Sequence, residues 1–143
     1  MILTQEQKDL LLKDICSRLP YGVKISIPDL WTQEREIEIL DEIFKGDDGL
    51  YRVNSKGQCI EYIKPYLFPM SSITDEQEKE LNKVYSDEAD LIAEHLKSDI
   101  SGNVHTHRFN RQLSLNWYLK NHFDINGLIE MGLAIDCSNL NIY

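Results

Sequence analysis

From Gly22 to Phe68 the chain reads as strand-rich, with period-two runs of apolar residues near its start and turn residues every few positions. This stretch constrains the fold more than any other. In "GVKISI", Val23, Ile25 and Ile27 share one face, Lys24 and Ser26 take the other, and Pro28 stops the run. "REIEILDEIF" alternates similarly, with Ile37, Ile39 and Ile43 on one side and Glu36 and Glu38 on the other. Ile39, Leu40 and Ile43 also fit a helical stripe, but the weight of β-branched residues favours a strand. Gly46-Asp47-Asp48-Gly49 is turn chemistry, "LYRVN" follows, and Ser55-Lys56-Gly57 turns the chain again into "CIEYIKPYLF". Four short strands joined by tight turns predict an antiparallel meander or a small curled barrel.

Helical patterns flank this region. Thr4 and Gln7 form a capping box, after which Leu11, Leu12, Ile15, Cys16 and Leu19 make an apolar face that Pro20 ends. Further on, Pro65 and Pro69 bracket Tyr66, Leu67 and Phe68, and Tyr62 and Met70 lie close by. This cluster reads as a core plug between sheet and helix, with a surface binding patch as the alternative. Thr74 and Gln77 make a second capping box, and Asp75, Glu76 and Glu78 suit a helix N-terminus. Leu81, Val84, Tyr85, Leu91, Ile92, His95 and Leu96 then form the stripe of an amphipathic surface helix. Residues 103–112 read as a loop. Ser114 caps a short helix holding Trp117, Tyr118 and Phe123, three aromatics expected in the core, and Asp124 caps another that stops at Gly132. "LAIDC" is a candidate last strand. The prediction is a single α+β domain over residues 1–143, built from an N-terminal helix, a small antiparallel sheet or curled barrel of about four strands, an acidic amphipathic helix and short C-terminal helices.

The formal net charge is −9, and it is unevenly spread. Residues 75–99 carry nine acids (Asp75, Glu76, Glu78, Glu80, Asp87, Glu88, Asp90, Glu94, Asp99) against Lys79, Lys83 and Lys97, a net −6. Phosphate backbones and anionic membranes repel such a surface, so direct nucleic-acid binding and membrane attachment are not expected. A basic protein partner is the expectation that the charge favours; the plainer account is that acidity keeps the chain in solution. No apolar run reaches the roughly 20 residues of a membrane span, and the N-terminus lacks the marks of a signal peptide. Cys16, Cys59 and Cys137 match no zinc or redox spacing, and each is expected to act as a small core hydrophobe in a reducing cytoplasm.

Three segments, "RLPYGVKI", "IKPYLFPMSSIT" followed by an acidic helix, and "NWYLKNHFDINGLIEMGLAID", give the chain a further signature. Together they resemble a family of small acidic proteins from phages and mobile elements of gut Bacteroidetes. The resemblance covers under a third of the chain. It implies a bacterial or phage-infected cytoplasm and an accessory interaction role, and it brings no catalytic residues.

"NVHTHRFNRQ", residues 103–112, lies outside those segments and holds the chain's only local cationic cluster. In an extended backbone His105 and His107 point to the same face and are weak metal-ligand candidates; zinc would need one or two more ligands, such as His95, His122 or Asp124. Arg108 and Arg111, three apart, would share a helical face and clamp a carboxylate or phosphate, with the acidic helix as the favoured partner. Trp31 sits between Pro28 and the charged "TQERE" and is the candidate exposed anchor. No G-x-S-x-G, P-loop, dinucleotide fingerprint or H-E-x-x-H occurs. A non-enzymatic protein-interaction module is therefore expected, with no cofactor and no catalytic residues. It would contact a protein partner, or a second copy, through Asp87, Glu88 and Glu94 of the acidic helix, with Trp31, His105, His107, Arg108 and Arg111 as further contacts. The alternative is a ligand-, anion- or metal-binding protein, or an enzyme, using the His/Arg loop at 105–111.

Overall fold

The first helix, α1 (Gln5–Arg18), begins at the predicted capping box: Thr4 Oγ1 accepts the Gln7 N–H at 3.2 Å, and the Gln7 side chain accepts the Thr4 N–H at 3.0 Å. This computed structural model describes residues 2–29, 31–32, 34–98 and 113–143, without the side chains of 91–98. The buried stripe of α1 is Leu11, Asp14, Ile15 and Arg18. Cys16, expected on that stripe, is exposed; Cys59 is half-buried and only Cys137 is fully buried, so the expectation of three core thiols holds for one. All three are free.

A 3-10 turn, Leu19–Tyr21, and Gly22 in the left-handed region carry the chain into β1 (Lys24–Pro28). The described residues form seven short strands, β1 included, in two sheets, where a single sheet of about four was expected. The first sheet has the order β2-β1-β6-β7, with β2 (Arg35–Ile39) at one edge, β6 (Lys64–Leu67) inside and β7 (Ile135–Asp136) at the other edge. The pairs β2–β1 and β1–β6 are antiparallel, and β6–β7 is parallel, so "LAIDC" does return as a strand. The second sheet is the meander β3 (Ile43–Lys45), β4 (Tyr51–Val53) and β5 (Gln58–Cys59). Asp48 and Arg52, 2.6 Å apart, fasten its first hairpin.

Asn54 makes the corner between the sheets. It is held in the left-handed region at φ 56°, which asparagine tolerates better than most residues. Its side-chain oxygen accepts the Asp41 N–H at 2.9 Å, and its amide nitrogen donates to the Ile39 carbonyl at 2.9 Å.

The main core gathers Leu11 and Ile15 of α1, Val23, Ile25 and Ile27 of β1, and Leu40, Val53, Ile63, Leu67, Leu128 and Leu133. Tyr66 and Leu67 are buried here, so the proline-bracketed segment is core, while Tyr62 and Met70 reach the surface. A second cluster joins Leu81 to Trp117 and Phe123, whose rings stack 5.7 Å apart.

α2 (Asp75–Ser98) starts at the second predicted capping box, with Thr74 and Gln77 exchanging bonds of 3.0 and 3.2 Å. The described residues 113–120 are helical (α3), so Ser114 lies inside the helix rather than capping it. The contacts Tyr85–Tyr118, with hydroxyls 3.1 Å apart, and Glu88–Ser114 set α2 and α3 antiparallel. The second C-terminal helix, expected between Asp124 and Gly132, is a chain of turns. Asp124 still caps it, accepting the N–H groups of Leu128 at 2.8 Å and Ile129 at 3.0 Å, and Gly132 is left-handed at φ 74°. Gly127 at φ 72° breaks the helical path in between.

Candidate interaction surface

The register of β1 against β2 decides which residues face outward. Ile27 pairs with Glu36, Ser26 with Ile37, Ile25 with Glu38 and Lys24 with Ile39. Directly opposed residues share a face. Glu36 and Glu38 therefore lie on the same face as the core residues Ile25 and Ile27, and Ile37 and Ile39 lie opposite, 49% and 56% exposed. The two glutamates avoid an apolar environment because they sit at the rim, where Lys56 reaches them from the second sheet at 3.1 and 3.8 Å. Those carboxylates raise the affinity of Lys56 for its proton, the hydrogen bond to Glu36 contributing most.

Backbone bonds at both ends of the β1–β2 pair fix its hydrogen-bond phase. Asp29 donates to the Glu34 carbonyl at 2.7 Å and Leu40 to the Val23 carbonyl at 2.9 Å. Antiparallel alternation then makes 29/34, 27/36, 25/38 and 23/40 the bonded pairs, and turns the backbone groups of Arg35, Ile37 and Ile39 away from β1. Among the described residues one partner meets this outer row, the Asn54 side chain on the Ile39 carbonyl. Arg35 folds its guanidinium back over β1, donating to Ser26 Oγ at 2.6 Å and to the Tyr62 carbonyl at 2.9 Å.

Trp31 stands beside the start of this strand, 94% exposed. Its turn is built by Asp29, whose Oδ1 accepts the N–H of Trp31 at 2.8 Å and of Thr32 at 3.4 Å. The Trp31 amide, above all, holds the Asp29 carboxyl below its ordinary range. Asp29, Trp31, Glu36, Lys56 and Gln58 line a shallow groove here.

On α2, Asp75, Glu76, Glu78, Glu80, Asp87 and Asp90 are exposed, accompanied by exposed Lys79 and Lys83. Among the described residues no ion pair engages any of these six carboxylates. Glu88 departs from the expectation of a solvent-facing contact. It is 6% exposed, and its Oε1 accepts the Ser114 N–H at 2.5 Å, so it ties α3 to α2 from the buried side. Its position, seven residues after Leu81, places it on the apolar stripe. The side chain of Glu94, and His105, His107, Arg108 and Arg111 with the whole stretch 103–112, lie outside the described residues, as do the side chains of Leu91, Ile92, His95 and Leu96.

Two other polar clusters lie inside. The Arg18 guanidinium, fully buried, meets Asp14 at 2.7 and 3.1 Å and donates to the Phe123 carbonyl at 2.8 Å, while Asn126 donates to Asp14 at 2.8 Å. His122 lies against the Tyr143 ring, and burial together with the charges of Arg18 and Lys24 lowers its pKa to about 4. Among the described residues no three His, Cys, Asp or Glu side chains stand close enough to hold a metal ion, and no helix is long and apolar enough to cross a membrane. No family model, curated protein or solved structure matches this chain.

The β2 surface was missed in the sequence, although a signal was present: two isoleucines set between charged residues, just after an exposed tryptophan, are the mark of an edge strand.

Proposed function

We propose that this protein is a non-enzymatic interaction module that binds a basic protein partner through its acidic surface. The observation that carries this reading is the row of exposed carboxylates on α2, from Asp75 to Asp90, without described counterions. Unneutralised charge of one sign steers an oppositely charged partner and raises its rate of encounter. Acids outnumber Lys79 and Lys83 on this face, the partner supplies further lysine or arginine, and Trp31 offers an aromatic anchor of the kind that dominates binding energy at interfaces. The resemblance to small proteins of phages and mobile elements supports an accessory role in a bacterial cytoplasm.

The test is calorimetric titration with a lysine-rich peptide at increasing salt. Binding is expected to weaken steeply between about 50 and 300 mM salt, as the screening length shortens. The triple variant Glu80→Gln, Asp87→Asn, Asp90→Asn is expected to bind more weakly at low salt and to show a shallower salt slope. Binding that ignores both salt and these substitutions overturns the reading.

A further inference from the structure

We infer that the free edge of β2 is a strand-addition site for an extended segment of the basic partner, one in which lysine or arginine alternates with apolar residues. This inference rests on the reading of the chain as a module for a basic partner, and it assigns the recognition element.

The backbone is the first argument. The N–H and C=O of Arg35 and Ile37 and the N–H of Ile39 point away from β1 and have no partner among the described residues. A row of unpaired groups on an exposed edge is a template for another strand, because each group gains a ladder bond when one is added. The ladder is bounded: Asn54 occupies the Ile39 carbonyl, so an added strand ends there.

The side chains set what that strand carries. In an antiparallel addition, residues opposite Ile37 and Ile39 lie on the outer face, beside two half-exposed isoleucines, and apolar side chains cover them. Residues between them lie beside Glu36 and Glu38, two carboxylates that share the one ammonium of Lys56. A lysine or arginine there completes the charge.

Charge also excludes a second copy as the occupant. An antiparallel β2–β2 pair centred on Ile37 sets Glu36 of one copy against Glu38 of the other. Shifting the centre to Glu38 sets that residue against itself. Like charges directly opposed destabilise a ladder, and Glu34, Asp41 and Glu42 add to the repulsion from flanking positions. The edge is thus guarded against its own kind and open to the opposite one.

The test uses the full chain labelled with 15N and three peptides. The first is Lys-Val-Lys-Val-Lys-Val-Lys with blocked ends, the second has the same composition with its valines contiguous, and the third is the first N-methylated at every valine. The alternating peptide is expected to shift and protect from exchange the amides of Ile37 and Ile39, and to bind about tenfold tighter than the other two. Ile37→Lys, at a half-exposed position, is expected to abolish that preference with little change in melting temperature. If all three peptides bind alike and shift α2 but not β2, strand addition is overturned and the basic-partner reading stands. If none of them binds, both fall.

Discussion

Glu88 and Ser114 are joined by a 2.5 Å hydrogen bond in which a carboxylate on the buried stripe of α2 receives the backbone N–H of a residue in α3. A hydrogen bond to a charged acceptor contributes more than one between neutral groups, the more so at a part-buried position. Glu88→Ala removes the charged acceptor of this part-buried bond, so a loss of about 1–3 kcal/mol is expected. Glu88→Gln keeps an acceptor oxygen and should lose less. Asp87→Asn, one residue away and exposed, should stay within about 0.5 kcal/mol of the parent. Urea unfolding of the three variants checks this order, and equal stability of Glu88→Ala and Asp87→Asn would contradict the assigned role.

The pair Asp14–Arg18 is fully buried, and a one-sided deletion leaves a charge without its partner. Asp14→Ala is expected to cost about 3–5 kcal/mol. The double change Asp14→Leu, Arg18→Met removes both charges and should cost much less than the sum of the two single changes. A double-mutant cycle in denaturant measures the coupling. Additive effects would mean that the pair contributes nothing as a pair.

His122 gives the stability a pH dependence. Its pKa falls from 6.5 to about 4 on folding because burial disfavours the imidazolium. Between those values the unfolded chain holds more protons than the folded one, so stability rises with pH across the window. The contribution is complete above pH 6.5 and is lost as pH falls through about 4. Since the ring keeps part of its solvent contact, the amount is discounted to about 1–2 kcal/mol. His122→Asn suits the left-handed backbone at φ 63° and does not titrate. Melting curves from pH 7 to 4 should show a smaller decline for this variant than for the parent, and identical declines would remove His122 as the cause.

The thiols should separate by access. Cys16 is exposed, whereas Cys137 is buried and its pKa is pushed up to about 11 by desolvation. An aromatic disulfide reagent at pH 8 is expected to modify Cys16 first and Cys137 only when the chain unfolds. Mass spectrometry of the digested protein after partial reaction identifies the site. Early labelling of Cys137 would show that its surroundings open in the folded state.

What the sequence made legible is what short-range chemistry dictates. Both Thr/Gln capping boxes, the period-two runs of β1 and β2, the turn at Gly46–Gly49 and the cap at Asp124 all depend on residues within four or five positions of each other. The division into two sheets was not legible, because it depends on Asn54 reaching Ile39 and Asp41 across the corner. Nor was the parallel pairing of β6 with β7, which joins Tyr66 to Ile135. Gly127 hid a turn inside a pattern that reads as helix. Glu88 was readable and missed: its seven-residue spacing from Leu81 put it on the buried stripe, but its charge argued for the surface. The sequence also shows Asp14 and Arg18 four apart, though nothing local says that both are buried.

The corner at Asn54 has a consequence for cooperativity. Backbone ladders run within each sheet, and the hydrogen bonds and ion pairs described from one sheet to the other come from side chains, those of Asn54 and Lys56. The meander can lift away without breaking a rung of its neighbour, so the molecule carries a seam along which a sub-global opening costs less than full unfolding. The Asn54 amide, the Lys56 ion pairs and the burial of Val53 in the shared core together set how far the two halves behave as a single thermodynamic unit.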